Sequence, residues 1–195
     1  MAPPGLRVIA GAVRGRRLVA PAGDEIRPTK GIVREAMFSA LDSRGAISEA
    51  VVLDLYAGTG ALGLEALSRG AARVVLVERD RRALEAIDTN VEHTGFADRA
   101  RVVRSDVAAF LDAPPPPEAP FDLVFADPPY DVGAEAIEAL LDHLGAPGWL
   151  SPGATVSVER PVGSGVPMPK SFRTGWERTF GDTLVIFVEA FDAPT

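Results

Sequence analysis

From residue 50 onwards, short apolar runs alternate along the chain with segments in which apolar residues recur every three or four positions. The apolar runs predict β-strands, and the periodic segments predict amphipathic helices. The predicted strands cover residues 51–55, 73–77, 100–104, 121–126 and 154–159, and the predicted helices cover residues 61–69, 80–94, 107–112 and 134–144. Apolar strands that alternate with helices predict an α/β, Rossmann-like, doubly wound sheet that is mostly parallel.

Both ends of the chain depart from this alternation. Residues 176–180 and 183–189 are β-prone runs around Gly181-Asp182, and they predict an antiparallel C-terminal hairpin that completes a seven-stranded sheet. Residues 6–10 and 15–19 predict a small N-terminal hairpin, and a helix follows over about 30–42, with Thr29 able to cap it. We therefore divide the chain into an N-terminal extension, residues 1–45, and a main domain, residues 46–195.

Composition narrows the class of protein. The chain has 195 residues, 47% of them hydrophobic, and it contains no cysteine, which excludes disulfides and thiolate metal sites and fits a reducing compartment. No apolar run approaches the roughly 18 residues of a membrane span, and the N-terminus lacks the apolar core of a signal peptide. We expect a soluble, cytoplasmic monomer without a metal and without a membrane partner.

Charge is distributed unevenly along the chain. Residues 1–45 carry eight basic and four acidic side chains, a net charge of +4, whereas the other 150 residues carry 12 basic and 23 acidic, a net charge of −11. A basic end on an acidic body indicates contact with a polyanion such as a nucleic acid. A solvated surface with no such partner explains the charge alone equally well.

The first predicted strand leads into a glycine-rich segment that is typical of cofactor binding. Gly58, Gly60 and Gly63 form G-x-G-x-x-G, and Glu78 ends the next strand, 20 residues after Gly58. This is the dinucleotide fingerprint with its ribose-binding acid, and by itself it is compatible with NAD or FAD. Asp54, four residues before Gly58, argues against a dinucleotide, because a carboxylate there would repel a pyrophosphate but could hold an ammonium group.

Acidic residues recur at successive strand ends, namely Asp54, Glu78, Asp106 and Asp127, and these ends line one crevice in a doubly wound sheet. S-adenosylmethionine (AdoMet) carries a sulfonium, an ammonium, a ribose diol and an adenine amine, so it suits such acceptors. Capping of the following helices is the alternative for Asp54 and Asp106, and an ion pair with a neighbouring arginine is the alternative for Glu78. The predicted cofactor-binding residues are Asp54, Tyr56, Ala57, Gly58, Thr59, Gly60, Glu78, Arg79, Asp106 and Val107.

The run Asp127-Pro128-Pro129-Tyr130 follows the fourth strand at the same crevice. An exocyclic base amine is a poor nucleophile, and two acceptors on its N–H bonds, the Asp127 carboxylate and the Pro128 carbonyl, would direct its lone pair towards a methyl group. The prolines fix φ and hold these acceptors in place, and Tyr130 can stack on the base. We predict that these four residues form the catalytic site and that the base is flipped or unpaired.

At this point the residues resemble the bacterial 16S rRNA guanine-N2 methyltransferases of the RsmD type. The similarity runs across nearly the whole chain and is carried by the segments 7–11, 15–18, 27–29, 33–38, 53–71 and 127–130. It implies methylation of a guanine N2 in 16S rRNA or the small ribosomal subunit, with AdoMet as the cofactor. It also implies that the basic end holds RNA, through the candidate residues Arg7, Arg14, Arg16, Arg17, Arg27, Thr29, Lys30 and Arg34. The chain departs from the family pattern at Lys30-Gly31, where the family usually reads Thr-Asp.

Other classes of protein remain open at this stage. One is a DNA adenine or cytosine amino-methyltransferase, since Asp-Pro-Pro-Tyr does not specify the base, although 195 residues leave little room for a target-recognition domain. A second is a non-enzymatic nucleic-acid-binding protein that keeps the fold, which the intact set of motif residues disfavours. A nicotinamide-dependent oxidoreductase is a weaker third.

Overall fold

A computed structural model of the chain describes residues 5–21 and 28–191, and within this part the side chains of residues 28–30 are not described. The helices are α1 (Pro28–Ser43), α2 (Ala61–Ser68), α3 (Arg81–Thr94), α4 (Val107–Leu111) and α5 (Ala134–Leu144). The strands are β1 (Val51–Leu55), β2 (Arg73–Glu78), β3 (Ala100–Arg104), β4 (Phe121–Ala126), β5 (Leu150–Pro161), β6 (Phe172–Phe180) and β7 (Thr183–Ala190).

The seven strands form one sheet in the order β3-β2-β1-β4-β5-β7-β6. Strands β1 to β5 are parallel to one another, and β7 runs antiparallel to both β5 and β6. The predicted α/β fold, a mostly parallel seven-stranded sheet with an antiparallel C-terminal hairpin, is thereby confirmed. The strand order reverses between β1 and β4, and such a switch point leaves a crevice at the carboxyl ends of the strands.

Helices cover the sheet on both faces, and each face has its own apolar core. Successive strand residues point to opposite faces, so Val52 and Phe125 pack in one core while Leu53 and Val124 pack in the other. The first core also holds the buried faces of α1, α2 and α3, and the second holds those of α4 and α5. Burial on both faces explains why the central strands lack alternating polar residues.

Most boundaries agree with the sequence predictions to within one or two residues, and larger differences occur in β5, β6 and the N-terminal stretch. Strand β5 begins at Leu150 and β6 at Phe172, each four residues earlier than predicted. Helix α1 begins at Pro28, so Thr29 lies inside its first turn and does not precede it. Proline suits the first helical position because its missing N–H would have no partner there in any case. The N-terminal hairpin has one antiparallel bridge, Arg7 with Arg17, and backbone bonds from Val8 to Arg16 and from Leu18 to Leu6 join its arms. Other backbone groups of this stretch bond to side chains of α2 and α3.

No helix in residues 5–21 and 28–191 combines the length and the apolar character needed to cross a membrane.

Candidate active site

A single cleft of about 1460 Å³ lies at the switch point of the sheet. Ligand pockets commonly measure roughly 300–1,000 Å³, so this cleft has room for a cofactor and a second ligand. The predicted residues that line it are residues 54, 56–59, 78–79, 106–107 and 127–130, together with Arg7 and Arg34. The structure therefore brings the predicted cofactor residues, except Gly60, and the whole Asp-Pro-Pro-Tyr run into one site.

Residues 56–60, here called the cofactor loop, connect β1 to α2. Tyr56 has φ 60° and Gly58 has φ 57°, left-handed conformations that turn the chain sharply where the strand ends. The N–H of Gly58 donates to Glu78 Oε2 over 2.8 Å, which holds the loop beside the end of β2. Gly60 is buried behind the cleft, where it precedes α2, and it does not line the cleft as residues 56–59 do.

Asp54 lies at the base of the cleft with only 1% of its surface exposed. Its Oδ2 accepts a hydrogen bond of 2.9 Å from the N–H of Gly63 in the first turn of α2, so the capping role that the sequence left open is present. Burial raises the pKa of Asp54 well above its ordinary value, and the neighbouring carboxylates of Asp127 and Glu78 add to the shift. A buried carboxyl of this kind gains most from a cationic partner in the cleft.

Glu78 and Asp106 follow the next two strands along the cleft. Glu78 Oε1 accepts from the N–H groups of Arg79 and Asp80, at 2.7 and 2.8 Å, in place of the ion pair that was the alternative. Asp106 accepts from the N–H of Ala108 at 3.0 Å and pairs with Arg79 at 2.9 Å. Asp106 therefore does cap α4, and its pair with Arg79 lines the cleft. The part of the cleft formed by Asp54, residues 56–59, Glu78, Arg79 and Asp106 is here called the cofactor half, and the part formed by the residues that follow β4 is called the acceptor half.

Residues 127–133, here called the acceptor loop, follow β4. Pro128 is buried, whereas Tyr130 has 61% of its surface exposed and faces open solvent beside the cleft. The N–H of Val132 donates to the Pro129 carbonyl over 3.0 Å, and this turn closes the loop. The buried Arg160 of β5 donates from Nη1 to the Val132 carbonyl over 2.6 Å and fixes the far end of the loop.

Residues 5–21, here called the basic segment, lie across one side of the cleft. Arg7, Arg14, Arg16 and Arg17 are all exposed, and Arg7 also lines the cleft. Arg34 differs from them, since only 7% of its surface is exposed and its Nη2 donates to the Arg7 carbonyl over 2.6 Å. Burial lowers the pKa of Arg34. Its position suits holding the segment in place better than contacting a nucleic acid.

Three candidate RNA-binding residues cannot be placed in this way. Arg27 lies outside the described residues, and the side chains of Thr29 and Lys30 do so as well.

Two polar side chains that the sequence analysis did not select belong to the site. Glu159 lines the cleft within β5, and it follows Val158, the register partner of Ala126, just as Asp127 follows Ala126. It is the last residue of the strand predicted over residues 154–159, and a strand-end position is the same signal that selected the other four acids. Asn90 of α3 is fully buried and contacts the cofactor loop, and the signal for it was an amide on an otherwise apolar helical stripe.

Across residues 5–21 and 28–191, no group of three or more histidine, aspartate or glutamate side chains is arranged to hold a metal ion.

Comparison with known proteins shows that the chain is similar to methyltransferases. The family model of conserved hypothetical protein 95 matches residues 6–189. The chain is 40% identical over 179 residues to ribosomal RNA small subunit methyltransferase D of Escherichia coli, covering 90% of this chain and 85% of that protein. The protein of the same name from Haemophilus influenzae is 32% identical over 179 residues, 90% and 89% of the two chains. The solved structure of yhhF from Escherichia coli, named as a candidate methyltransferase, superposes with a TM-score of 0.83 at 38% identity and covers 95% and 97% of the two chains.

Proposed function

The chain belongs to the family described as conserved hypothetical protein 95, and from that premise we propose that it transfers a methyl group from AdoMet to the N2 amine of a guanine in 16S rRNA of the small subunit. One observation carries the proposal: Asp127 to Tyr130 line the same cleft as Asp54 and the cofactor loop. The relatives named as small-subunit rRNA methyltransferases support rRNA as the acceptor.

The residues of the cofactor half fit AdoMet. When bound, AdoMet supplies an electrophilic methyl group on a sulfonium sulfur. The buried Asp54 carboxyl is suited to the ammonium, which would favour its charged form. Glu78 already accepts three backbone N–H groups, so of its roughly four lone-pair sites about one is left for a ribose hydroxyl. Asp106 then stands where it could accept from the adenine amine.

The acceptor loop supplies what the amine lacks as a nucleophile. The Asp127 carboxylate and the Pro128 carbonyl would accept its two N–H bonds, which turns its lone pair towards the methyl group. Because Pro128 is buried and Val132 is tied to Arg160, these acceptors are held in place before the base arrives. Transfer would break the methyl–sulfur bond, leaving S-adenosylhomocysteine and a cationic nitrogen, and the Asp127 carboxylate would take the proton that this nitrogen loses.

The arrangement of acceptors supports guanine over adenine and cytosine. Asp127 and Glu159 follow register-paired residues of neighbouring parallel strands, which lie about 4.8 Å apart, and both side chains line the cleft. Guanine places the N1–H donor beside its amine, whereas adenine and cytosine place a ring-nitrogen acceptor there. Two carboxylates facing this edge would accept from guanine and repel the other two bases.

A base must leave its stack to reach this cleft. Tyr130 is exposed at the cleft mouth and offers a ring on which an extruded base can stack, a contact worth about 1–3 kcal/mol per base. The exposed arginines of the basic segment are available to the neighbouring phosphates.

The test is transfer of labelled methyl from AdoMet to unmethylated small subunits, naked 16S rRNA and duplex DNA in parallel, with mass mapping of the product nucleoside. We expect N2-methylguanosine from the ribosomal RNA and no product from the DNA. Methyladenine or methylcytosine in DNA would contradict the proposal. If calorimetry showed binding of NAD and no binding of AdoMet, the proposed cofactor would be wrong.

A further inference from the structure

Asn90 joins the basic segment to the cofactor loop through its side-chain amide. Its Oδ1 accepts from the N–H of Val19 at 2.6 Å, and its Nδ2 donates to the carbonyl of Val19 at 2.9 Å. The same Nδ2 donates to the carbonyl of Thr59 at 2.9 Å. Val19 belongs to the segment that carries the exposed arginines, and Thr59 lies between the two glycines of the cofactor loop.

Asn90 is fully buried, so breaking any of these hydrogen bonds costs free energy that water cannot recover. The side chain has 0% of its surface exposed and lies on the buried stripe of α3 with Ile87 and Val91. Both donor hydrogens of its amide are used, one towards each partner, so neither Val19 nor Thr59 can move without breaking a bond to a buried group. Leaving a buried amide unpaired costs more free energy than leaving an exposed one unpaired, so the connection between Val19 and Thr59 through Asn90 is stiff.

Besides Arg34 of α1, two side chains of α2 also anchor the basic segment. Glu65 accepts from the N–H groups of Ile9 and Ala10, at 2.6 and 3.0 Å. Ser68 accepts from the N–H of Val13 at 3.1 Å and donates to the carbonyl of Ala10 at 2.5 Å. These bonds hold the first part of the segment, whereas Asn90 holds its last part and the cofactor loop together.

We propose that Asn90 is a positioning residue that couples the two ligands of the proposed methyltransferase, so that cofactor in the cleft strengthens RNA binding to the basic segment, and the reverse. The inference rests on the proposed function. Thr59 and Val19 bond to the same buried amide, so a ligand that favours one position of Thr59 also favours the matching position of Val19. The second ligand then binds the arrangement that the first ligand has selected. Such coupling is reciprocal, so measuring it in one direction is sufficient.

The experiment compares the affinity of the full-length protein for unmethylated small ribosomal subunits with and without saturating S-adenosylhomocysteine, by filter binding. S-adenosylhomocysteine occupies the cofactor site without donating a methyl group, so no turnover disturbs the equilibrium. For the wild type we expect affinity to rise about fivefold or more with the cofactor product, within the usual range of coupling between sites. In Asn90→Ala we expect that ratio to fall below about twofold.

Ser68→Ala is the matched control. It loosens the basic segment from α2 without touching the cofactor loop, so subunit binding should weaken while the wild-type ratio persists. A wild-type ratio in Asn90→Ala, with both affinities merely reduced, would show that Asn90 is only structural and would overturn the proposal. A loss of the ratio in Ser68→Ala would overturn it as well, because any loosening of the segment would then suffice.

Val19→Pro covers the case in which Asn90→Ala does not fold. Val19 is exposed, and proline at this position lacks the N–H that donates to Asn90, so one hydrogen bond is lost while the buried Asn90 side chain stays in place. This variant should also reduce the ratio of affinities below about twofold. Retention of the full ratio in Val19→Pro would count against the coupling. Failure of the wild type to bind S-adenosylhomocysteine or to methylate rRNA would refute the proposed function instead, whereas independent binding of both ligands would refute this inference alone.

Discussion

The cofactor loop and the acceptor loop follow neighbouring parallel strands and open into the same cleft, yet they are held very differently. In the cofactor loop, Gly58 and Thr59 bond to Glu78 and Asn90 of two other elements, and the polar groups around it are already paired with backbone. In the acceptor loop, Arg160 holds the carbonyl of Val132 by a hydrogen bond, but the side chain of Tyr130, two residues earlier, remains exposed. At the carboxyl ends of the parallel strands, one half of the cleft therefore has its polar groups paired and the other half is exposed.

The difference follows from what each half would bind. A small cofactor of constant shape gains affinity from a site that is ordered in advance, because little conformational entropy is lost on binding. A base carried by a large RNA must enter from outside and needs an open wall with exposed aromatic and basic groups. The expected outcomes below test whether the two halves can be separated, from the largest effect to the smallest.

The sharpest separation should come from Asp127→Ala. We expect methyl transfer to fall by at least about a hundredfold, as when one preorganised group is removed at a reacting centre. The affinity for AdoMet should change by less than about threefold, because Asp127 belongs to the acceptor half. Labelled transfer and calorimetry on the same preparation measure the two quantities. Near-normal turnover would refute the catalytic assignment, and loss of AdoMet binding would move Asp127 into the cofactor half.

Asp54→Asn should act on the cofactor half. Losing a charged hydrogen bond to the AdoMet ammonium is worth about 1.5–3 kcal/mol, or roughly a tenfold to hundredfold loss of affinity. The bond from Gly63 can persist, because asparagine keeps an acceptor oxygen. Calorimetry measures the affinity, and a change below about threefold would remove Asp54 from the cofactor contacts.

The same residue predicts a pH dependence. Burial raises the pKa of Asp54 in the free protein, whereas a bound ammonium favours the carboxylate, so AdoMet binding should expel a proton. The free protein then holds the extra proton between the two pKa values, and affinity should fall as the pH decreases through the raised pKa. Titrations at several pH values should show this slope in the wild type and not in Asp54→Asn. An identical slope in both proteins would contradict the assignment.

Gly63→Ala tests how tightly the cofactor half is packed. A Cβ at this position would lie 2.8 Å from side-chain carbons of both Leu76 and Val74, so we expect destabilisation by about 1–3 kcal/mol. Gly31→Ala in α1 is the control, since its Cβ would meet no atom within 4 Å and alanine favours a helix by about 1 kcal/mol. In thermal unfolding, the midpoint temperature should be lower for Gly63→Ala and higher for Gly31→Ala than for the wild type. Equal midpoints would show that the packing gives way more easily than the distances indicate.

Neutralising Arg16 and Arg17 should give the smallest change, and it should affect only the affinity for RNA and the salt dependence of that affinity. Each exposed charge that meets a phosphate contributes about 0.7–0.9 to the slope of log affinity against log salt, so we expect each to cost a few-fold in affinity and to flatten the slope. Arg73→Gln, an exposed arginine at the opposite end of β2, is the control and should leave the slope unchanged. An unchanged slope in the double variant would mean that these arginines are only solvated.

The main domain was predictable because its strands and helices depend on local pattern. The run 121–126 is apolar except for Asp122 and long enough for a buried strand, and Gly58 and Asp127 lie after strand ends that the topology brings together. The early starts of β5 and β6 were missed, because Ser151 to Gly153 and Arg173 to Gly175 carry no β pattern. Leu150 joins the sheet by pairing with Phe121, and Arg173 joins it by pairing with Glu189.

The sequence by itself determined the fold class, the crevice and the chemical types that line it, because strand order and strand ends follow from apolar periodicity and from short motifs. Tertiary structure alone decided which polar groups are already used. It buried Arg34, paired Glu78 with three N–H groups, and placed Glu159 and Asn90 in the site. Whether a polar side chain binds a ligand or a backbone group depends on neighbours that are distant in the chain, and no local pattern records them.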